Sequence, residues 1–134
     1  MATQASGTFE VTLVPQKSGN EADDAIVGRL SIDKQFHGDL EGNSRGQMLA
    51  AGTEVKGSAG YVAIERFTGT LHGRDGTFML QHNGIMKRGD GELAIAVVPD
   101  SGTGGLAGIA GTMGIEIADG KHFYRFDYTL PEQS

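Results

Sequence analysis

The sequence predicts an all-β fold, a closed antiparallel barrel of eight strands. Eight stretches alternate apolar and polar residues, the period of a strand with one buried face, and 22 glycines interrupt the 134 residues without a regular repeat. Short strands separated by turn glycines most simply close on themselves, because closure removes the exposed edges of a sheet. The predicted strands lie near residues 7–15, 25–37, 39–51, 58–72, 76–87, 91–98, 108–118 and 122–130.

Length and composition predict a single domain over residues 1–134. The net charge of −6, with scattered acidic residues, argues against a nucleic-acid partner, which would need clustered Lys and Arg. We find no apolar run long enough for a membrane span and no secretion signal, so we expect a bacterial cytoplasmic location without membrane partners. The absence of cysteine excludes disulfides, thiolate nucleophiles and thiolate metal sites.

The strongest hairpin signal is Asp119-Gly120, because a type I′ turn needs positive φ at both central residues. A two-residue loop there pairs Ala118 with Lys121 and places the apolar residues of both flanking strands on one face. That agreement favours the predicted turn.

A second predicted turn, at Arg74-Asp75, sets Phe67 opposite His82. Glu65 then lies on the same apolar face as His82, as a diagonal neighbour about 7–8 Å away between backbones. Long side chains can bridge that separation, so the sequence predicts a Glu65–His82 pair.

A third turn, a three-residue loop at 37–39, sets Leu40 opposite Phe36 and Ser44 opposite Ile32. Several small residues also face inward in this scheme, which favours interior space for a ligand. The alternative is that they relieve crowding at barrel corners. These residues are Gly28, Gly42, Gly46, Gly69 and Gly111.

Glu65 and His82 are the candidate catalytic residues. A carboxylate in an apolar cavity has its charged form disfavoured, so we expect the pKa of Glu65 to rise towards the range useful for proton transfer, with His82 as a relay. The alternative is a satisfied polar pair in the core.

Aromatic residues on the same face are the candidate ligand-binding residues, with plain packing as their alternative role. They are Tyr61, Phe67, Tyr124 and Tyr128. The four histidines do not form a short-spaced ligand set, so we expect no metal and no cofactor.

Five stretches carry a resemblance to a known family. They are FHGDLEG at 36–42, AGYVAIER at 59–66, GTLHGRDGTF at 69–78, QH at 81–82 and the glycine-rich crossing at 101–111. These stretches resemble a bacterial family, domain-of-unknown-function family 3224, and the similarity runs over 7–130. The family's members look like the allene oxide cyclase-type barrel. Those cyclases and the dirigent proteins hold a small apolar molecule inside a barrel, and none of their functional residues is carried over to this chain.

Three hypotheses follow for function. The first is binding of a small apolar molecule in the barrel interior, and the alternative is a cofactor-free isomerase or cyclase that uses Glu65 and His82 for proton transfer. The third is a filled barrel that serves as a scaffold. Strands 58–67 and 91–98 are apolar on both faces, which predicts a homo-oligomer, with a dimer ahead of a trimer.

Overall fold

The computed structural model describes residues 2–17, 19 and 26–131. Its strands are β1 (Thr3–Gln16), β2 (Gly28–Gly38), β3 (Leu40–Gly52), β4 (Ala59–Leu71), β5 (Arg74–Lys87), β6 (Asp90–Val97), β7 (Thr103–Gly104), β8 (Ala110–Ala118) and β9 (Lys121–Thr129). The predicted start of the second strand at residue 25 lies outside the described residues. Among the described residues, no helix has the length and apolarity needed to cross a membrane.

The eight long strands close into an antiparallel barrel, which confirms the predicted fold. Strands β1 to β6 pair in chain order, β6 pairs with β8, β8 with β9, and β9 returns to β1. The two-residue strand β7 lies in the glycine-rich crossing and pairs with the start of β5. Successive long strands are therefore neighbours in the barrel, and the pairing of the first strand with the last closes it.

The turn at Asp119-Gly120 is confirmed. Ala118 pairs with Lys121, and the φ angles of Asp119 and Gly120 are 52° and 75°. Both values lie in the left-handed region that a type I′ turn requires.

The predicted turn at Arg74-Asp75 is wrong. The β4–β5 turn is formed by His72 and Gly73, whose φ angles are 48° and 80°, and Phe67 pairs with Phe78 rather than with His82. His72 tolerates the left-handed conformation well enough for this pair to make the type I′ turn. The turn therefore forms two residues earlier in the chain than predicted.

The register predicted for β2 and β3 is wrong by two residues, because β2 runs to Gly38 and β3 begins at Leu40. Phe36 pairs with Gly42, and Ile32 pairs with Gly46. Both register errors are even numbers of residues. Side chains alternate between faces with a period of two, so every inward residue kept its predicted face.

One end of the barrel is packed with aromatic side chains, and we call it the closed end. The rings of Phe67 and Phe78 have centroids 5.2 Å apart, and Phe36 meets Phe67 edge-on at 5.8 Å. Leu106 and Ile109, from the crossing between β6 and β8, are buried over this end. Burying each such side chain contributes about 1.5–3 kcal/mol.

The inward glycines near the closed end do not provide empty space, so that expectation is wrong there. A Cβ at Gly69 would lie 2.1 Å from the carbonyl oxygen of Glu41 and 2.9 Å from Cζ of Phe67. At Gly46 and Gly111 a Cβ would also meet backbone oxygens, at 2.0 Å and 2.3 Å. These glycines allow adjacent strands to approach closely, which was the alternative interpretation.

The opposite end of the barrel, which carries the Asp119-Gly120 turn, is less fully paired, and we call it the open end. The ladder between β6 and β8 consists of two residue pairs, Ile95 with Met113 and Ala96 with Thr112. Beyond them, no ladder joins the two strands as far as the described ends of β6 and β8. The barrel wall is therefore open on this side.

Candidate ligand-binding site

A pocket of about 530 Å³ lies at the open end. Most of its residues occupy inward positions of β3, β4, β5, β6 and β8, because they alternate with outward residues along each strand. It is lined by Met48, Ala50, Ala59, Gly60, Tyr61, Gly84, Ile85, Met86, Gly91, Glu92, Leu93 and Ile117. The inward side chains are apolar apart from the Tyr61 hydroxyl, and Glu92 is exposed and alternates to the outer face of β6.

Tyr61 connects this pocket to the polar residues inside the barrel. Its ring occupies the space left by Gly84, its partner on β5, where a Cβ would lie 2.2 Å from the ring carbon Cε1. The Tyr61 hydroxyl is 3.5 Å from Nδ1 of His82. The pocket therefore has one polar group with access to the buried histidine.

Glu65 and His82 are brought together, as predicted. Nε2 of His82 lies 2.7 Å from Oε2 of Glu65, although the ring does not present the N–H to that oxygen in hydrogen-bond geometry. Lys34 donates to the same oxygen at 2.8 Å, and Ser44 donates to Oε1 at 2.9 Å. Glu65 is 1% exposed, so three polar side chains surround a carboxylate sealed from water.

The expected rise in the pKa of Glu65 is wrong. Burial by itself raises the pKa, but the interaction with His82 and the positive charge of Lys34 outweigh it and lower the pKa to about 2. Glu65 is therefore ionised near neutral pH. It acts as a fixed negative charge and not as a proton donor.

Lys34 is the site residue that the sequence interpretation missed. It is 5% exposed, and its Nζ lies 5.1 Å from the ring centroid of Phe9 and 5.9 Å from that of Phe36. These are distances at which a cation is attracted to the ring face. Strand alternation was the signal that could have found it, because Lys34 lies two residues from both Ile32 and Phe36.

Phe67, a predicted ligand-binding residue, lies in the aromatic core and is fully buried. Tyr124 lies at the closed end, where its hydroxyl accepts from the Leu40 N–H at 2.9 Å and donates to the His37 carbonyl at 3.0 Å. Burial raises the pKa of Tyr124 to about 12. The structure does not bring these two residues to the pocket.

Tyr128 also lies at the closed end, in a polar chain of its own. Its hydroxyl hydrogen-bonds to Nδ1 of His72, and Nε2 of His72 lies 3.5 Å from Oδ2 of Asp39. Asp39 also accepts from the Ser6 N–H at 3.0 Å. This chain joins three strand ends, and it is separate from the Glu65 cluster.

The arrangement at the open end sets which atom of His82 can meet a ligand. Nε2 faces the Glu65 carboxylate, so Nδ1 is the nitrogen directed to Tyr61. Within the described residues, no group of three or more His, Asp or Glu side chains is placed to hold a metal ion. The site therefore consists of an apolar pocket with a Tyr–His pair at its base and a buried ion pair behind it.

These features define a small antiparallel β-barrel with an apolar pocket at one end. A family model described as a protein of unknown function, DUF3224, matches residues 5–128. The chain therefore belongs to the DUF3224 family, which confirms the resemblance found in the sequence.

A crystal structure at 1.84 Å resolution, of a protein of unknown function from the DUF3224 family of Shewanella oneidensis MR-1, is similar to this chain. The two sequences are 47% identical, the similarity covers 99% of this chain and 100% of that one, and the TM-score is 0.92. No curated protein matches this chain.

Proposed function

We propose that this barrel binds a small, mostly apolar molecule at its open end. The observation that carries the proposal is the pocket of about 530 Å³, lined by apolar side chains and ending at the Tyr61 hydroxyl. Its volume is in the range of about 300–1,000 Å³ typical of ligand sites, which combine apolar walls with a few polar groups. The exposed side chains of Leu93 and Ile117 support it, because apolar surface at a pocket mouth marks an interaction site.

Binding can be tested by titration with N-phenyl-1-naphthylamine, a neutral apolar dye that fluoresces when it leaves water. We expect saturable binding with one dye per chain. Ala50→Phe fills the pocket and should lower the dye affinity roughly tenfold or more. The control is Ala51→Phe, because its side chain points to the outer face and should leave the affinity unchanged. An absence of saturable binding, or equal effects of both variants, would overturn the proposal.

The alternative function is a cofactor-free isomerase or cyclase, and the contacts that favour it are Tyr61 to His82 and His82 to Glu65. In this proposal His82 takes a proton from the α-carbon of a bound β,γ-unsaturated ketone and returns it to the γ-carbon, while the double bond moves into conjugation with the carbonyl. Glu65 stays ionised and orients the ring. Histidine is the side chain that enzymes use most often for proton transfer.

Deuterium exchange at the α-carbon of cyclohexanone in D₂O tests this alternative without knowledge of the natural substrate. We expect the protein to accelerate exchange and His82→Gln to abolish the acceleration. His37→Gln, which changes a more exposed histidine at the opposite end of the barrel, should retain it. Exchange that is no faster than in buffer, or that survives His82→Gln, removes His82 from any such reaction.

We also propose that the chain forms a homo-oligomer, a dimer ahead of a trimer, through the outer faces of its apolar strands. Val62 and Ile64 on the outer face of β4 are 50% and 51% exposed in the single chain. A groove of about 590 Å³ runs beside them. Light scattering should give at least twice the mass of one chain, and Ile64→Lys should reduce the measured mass to that of a single chain. A wild-type mass of 14.1 kDa would overturn the proposal.

A further inference from the structure

The charges around the pocket restrict the ligand it can hold. Glu92 is the charged residue among those that line the pocket; it is negative, and alternation places its exposed side chain on the outer face of β6. Glu65, behind Tyr61 and His82, is also negative, and its charge is matched by that of Lys34. No Lys or Arg is among the described residues that line the pocket, so nothing there offers a counter-ion to an anionic ligand.

Lys34, the cation nearest the pocket's polar base, is already engaged. Its Nζ is bound to Oε2 of Glu65 at 2.8 Å and packs against the rings of Phe9 and Phe36. The lysine and glutamate charges cancel, so the buried cluster is neutral when His82 is neutral. An anion entering the pocket would add a charge without a partner in an apolar environment, which is strongly unfavourable.

Tyr61 is the group that can meet a polar atom of the ligand. Burial and the nearby Glu65 raise its pKa, so the hydroxyl stays protonated and neutral. A phenol can donate to a carbonyl oxygen or accept from a hydroxyl. Both types of partner are neutral.

We propose, on the basis of the binding function proposed above, that the ligand is an uncharged apolar molecule with one hydroxyl or carbonyl group at the Tyr61 end. A carboxylate such as an ionised fatty acid is excluded. The proposal rests on the lack of Lys and Arg among the described residues that line the pocket and on the pairing of Lys34 with Glu65.

Displacement of N-phenyl-1-naphthylamine by matched eight-carbon compounds tests the proposal. At pH 7.5 we expect 1-octanol and 2-octanone to displace the dye at concentrations roughly tenfold or more below those of octanoate. Tyr61→Phe should weaken the binding of 1-octanol more than the binding of octane. Glu92→Lys should raise the affinity for octanoate relative to that for 1-octanol, and this ratio separates the charge effect from any change in pocket shape.

The outcomes separate this proposal from the binding function on which it depends. If the dye binds and octanoate displaces it as well as or better than 1-octanol does, the neutral-ligand proposal is overturned and the proposed apolar binding function stands. If the dye, 1-octanol and octanoate all fail to bind, the neutral-ligand proposal and the binding function are both overturned. Weak octanoate binding that becomes strong when the acid is protonated at low pH would support the neutral ligand.

Discussion

Nζ of Lys34 lies 2.8 Å from Oε2 of Glu65 inside the barrel, with the two side chains 6% and 0% exposed. Because both charges are shielded from water, each one is stabilised mainly by the other. Removing one leaves the other unpaired in an apolar environment, which costs far more than the pair contributes over an uncharged replacement.

Lys34→Met is therefore expected to lower the free energy of unfolding by about 3–5 kcal/mol, measured by urea denaturation. The double variant Lys34→Met/Glu65→Gln should lose less than the sum of the two single variants. Arg45→Met is the control, because Arg45 pairs with Asp33 at 3.8 Å on the exposed surface. It should change stability by less than about 1 kcal/mol. A similarly small effect of Lys34→Met would contradict the buried pair.

The lowered pKa of Glu65 predicts an acid-sensitive fold. The pKa is about 2 in the fold against an ordinary 4.5, so the unfolded chain binds more protons between these values. The stabilising contribution is complete above about pH 4.5 and is lost as the pH falls towards 2. At neutral pH it is on the order of 3 kcal/mol.

Urea unfolding at steps from about pH 6 to the acid limit measures this contribution. Stability should fall steeply below pH 4.5 in the wild type and less steeply in Glu65→Gln. The exposed carboxylate variant Glu116→Gln should keep the wild-type slope. Identical slopes in all three proteins would mean that Glu65 is not held ionised by its neighbours.

The hydrogen bonds of the Tyr124 hydroxyl are expected to stabilise the closed end of the barrel. Tyr124→Phe removes the acceptor for the buried N–H of Leu40 and the donor to the His37 carbonyl. The variant should lose about 1–3 kcal/mol of unfolding free energy. Tyr61→Phe, whose hydroxyl has one long contact at 3.5 Å, should lose less than 1 kcal/mol in the same measurement. Equal losses would show that the Tyr124 hydrogen bonds do not hold the barrel end.

The sequence predicted the barrel and the inward faces because both follow from a period of two. It also predicted the contact between Glu65 and His82, although the register behind it was wrong. His82 pairs with Ala63 instead of Phe67, and Glu65 is a diagonal neighbour in either case. The turn preferences of the residues alone did not show whether the β4–β5 turn forms at His72-Gly73 or at Arg74-Asp75.

The direction of the Glu65 pKa shift was predicted wrongly because burial alone was weighed. It depends on His82, which is on the same hairpin, and on Lys34 of β2, which reaches Glu65 across β3. Burial was predicted correctly, and by itself it raises the pKa. His82 and Lys34 together reversed the sign, and alternation along β2 would have revealed Lys34.

The short ladder between β6 and β8 predicts local flexibility at the open end. Amides in residues 91–94 and 114–117 should exchange with deuterium faster than those in the fully paired β3 and β4, measured by mass spectrometry of peptides. Saturation with the neutral dye should slow exchange in these two segments and leave β3 and β4 unchanged. Uniform exchange rates would contradict an opening between the strands.

Gly84 provides the sharpest test of how Tyr61 shapes the pocket. Gly84→Ala places a methyl group where the Tyr61 ring now lies, since the new carbon would be 2.2 Å from Cε1. The ring must move, so dye affinity should fall roughly fivefold or more, with a stability loss of about 1–3 kcal/mol from overpacking. Gly114→Ala is the control, because a Cβ there would have no atom within 4 Å and Gly114 does not line the pocket. If Gly84→Ala binds the dye as the wild type does, the position of the Tyr61 ring does not define the pocket, and the hydroxyl cannot be the group that selects the ligand.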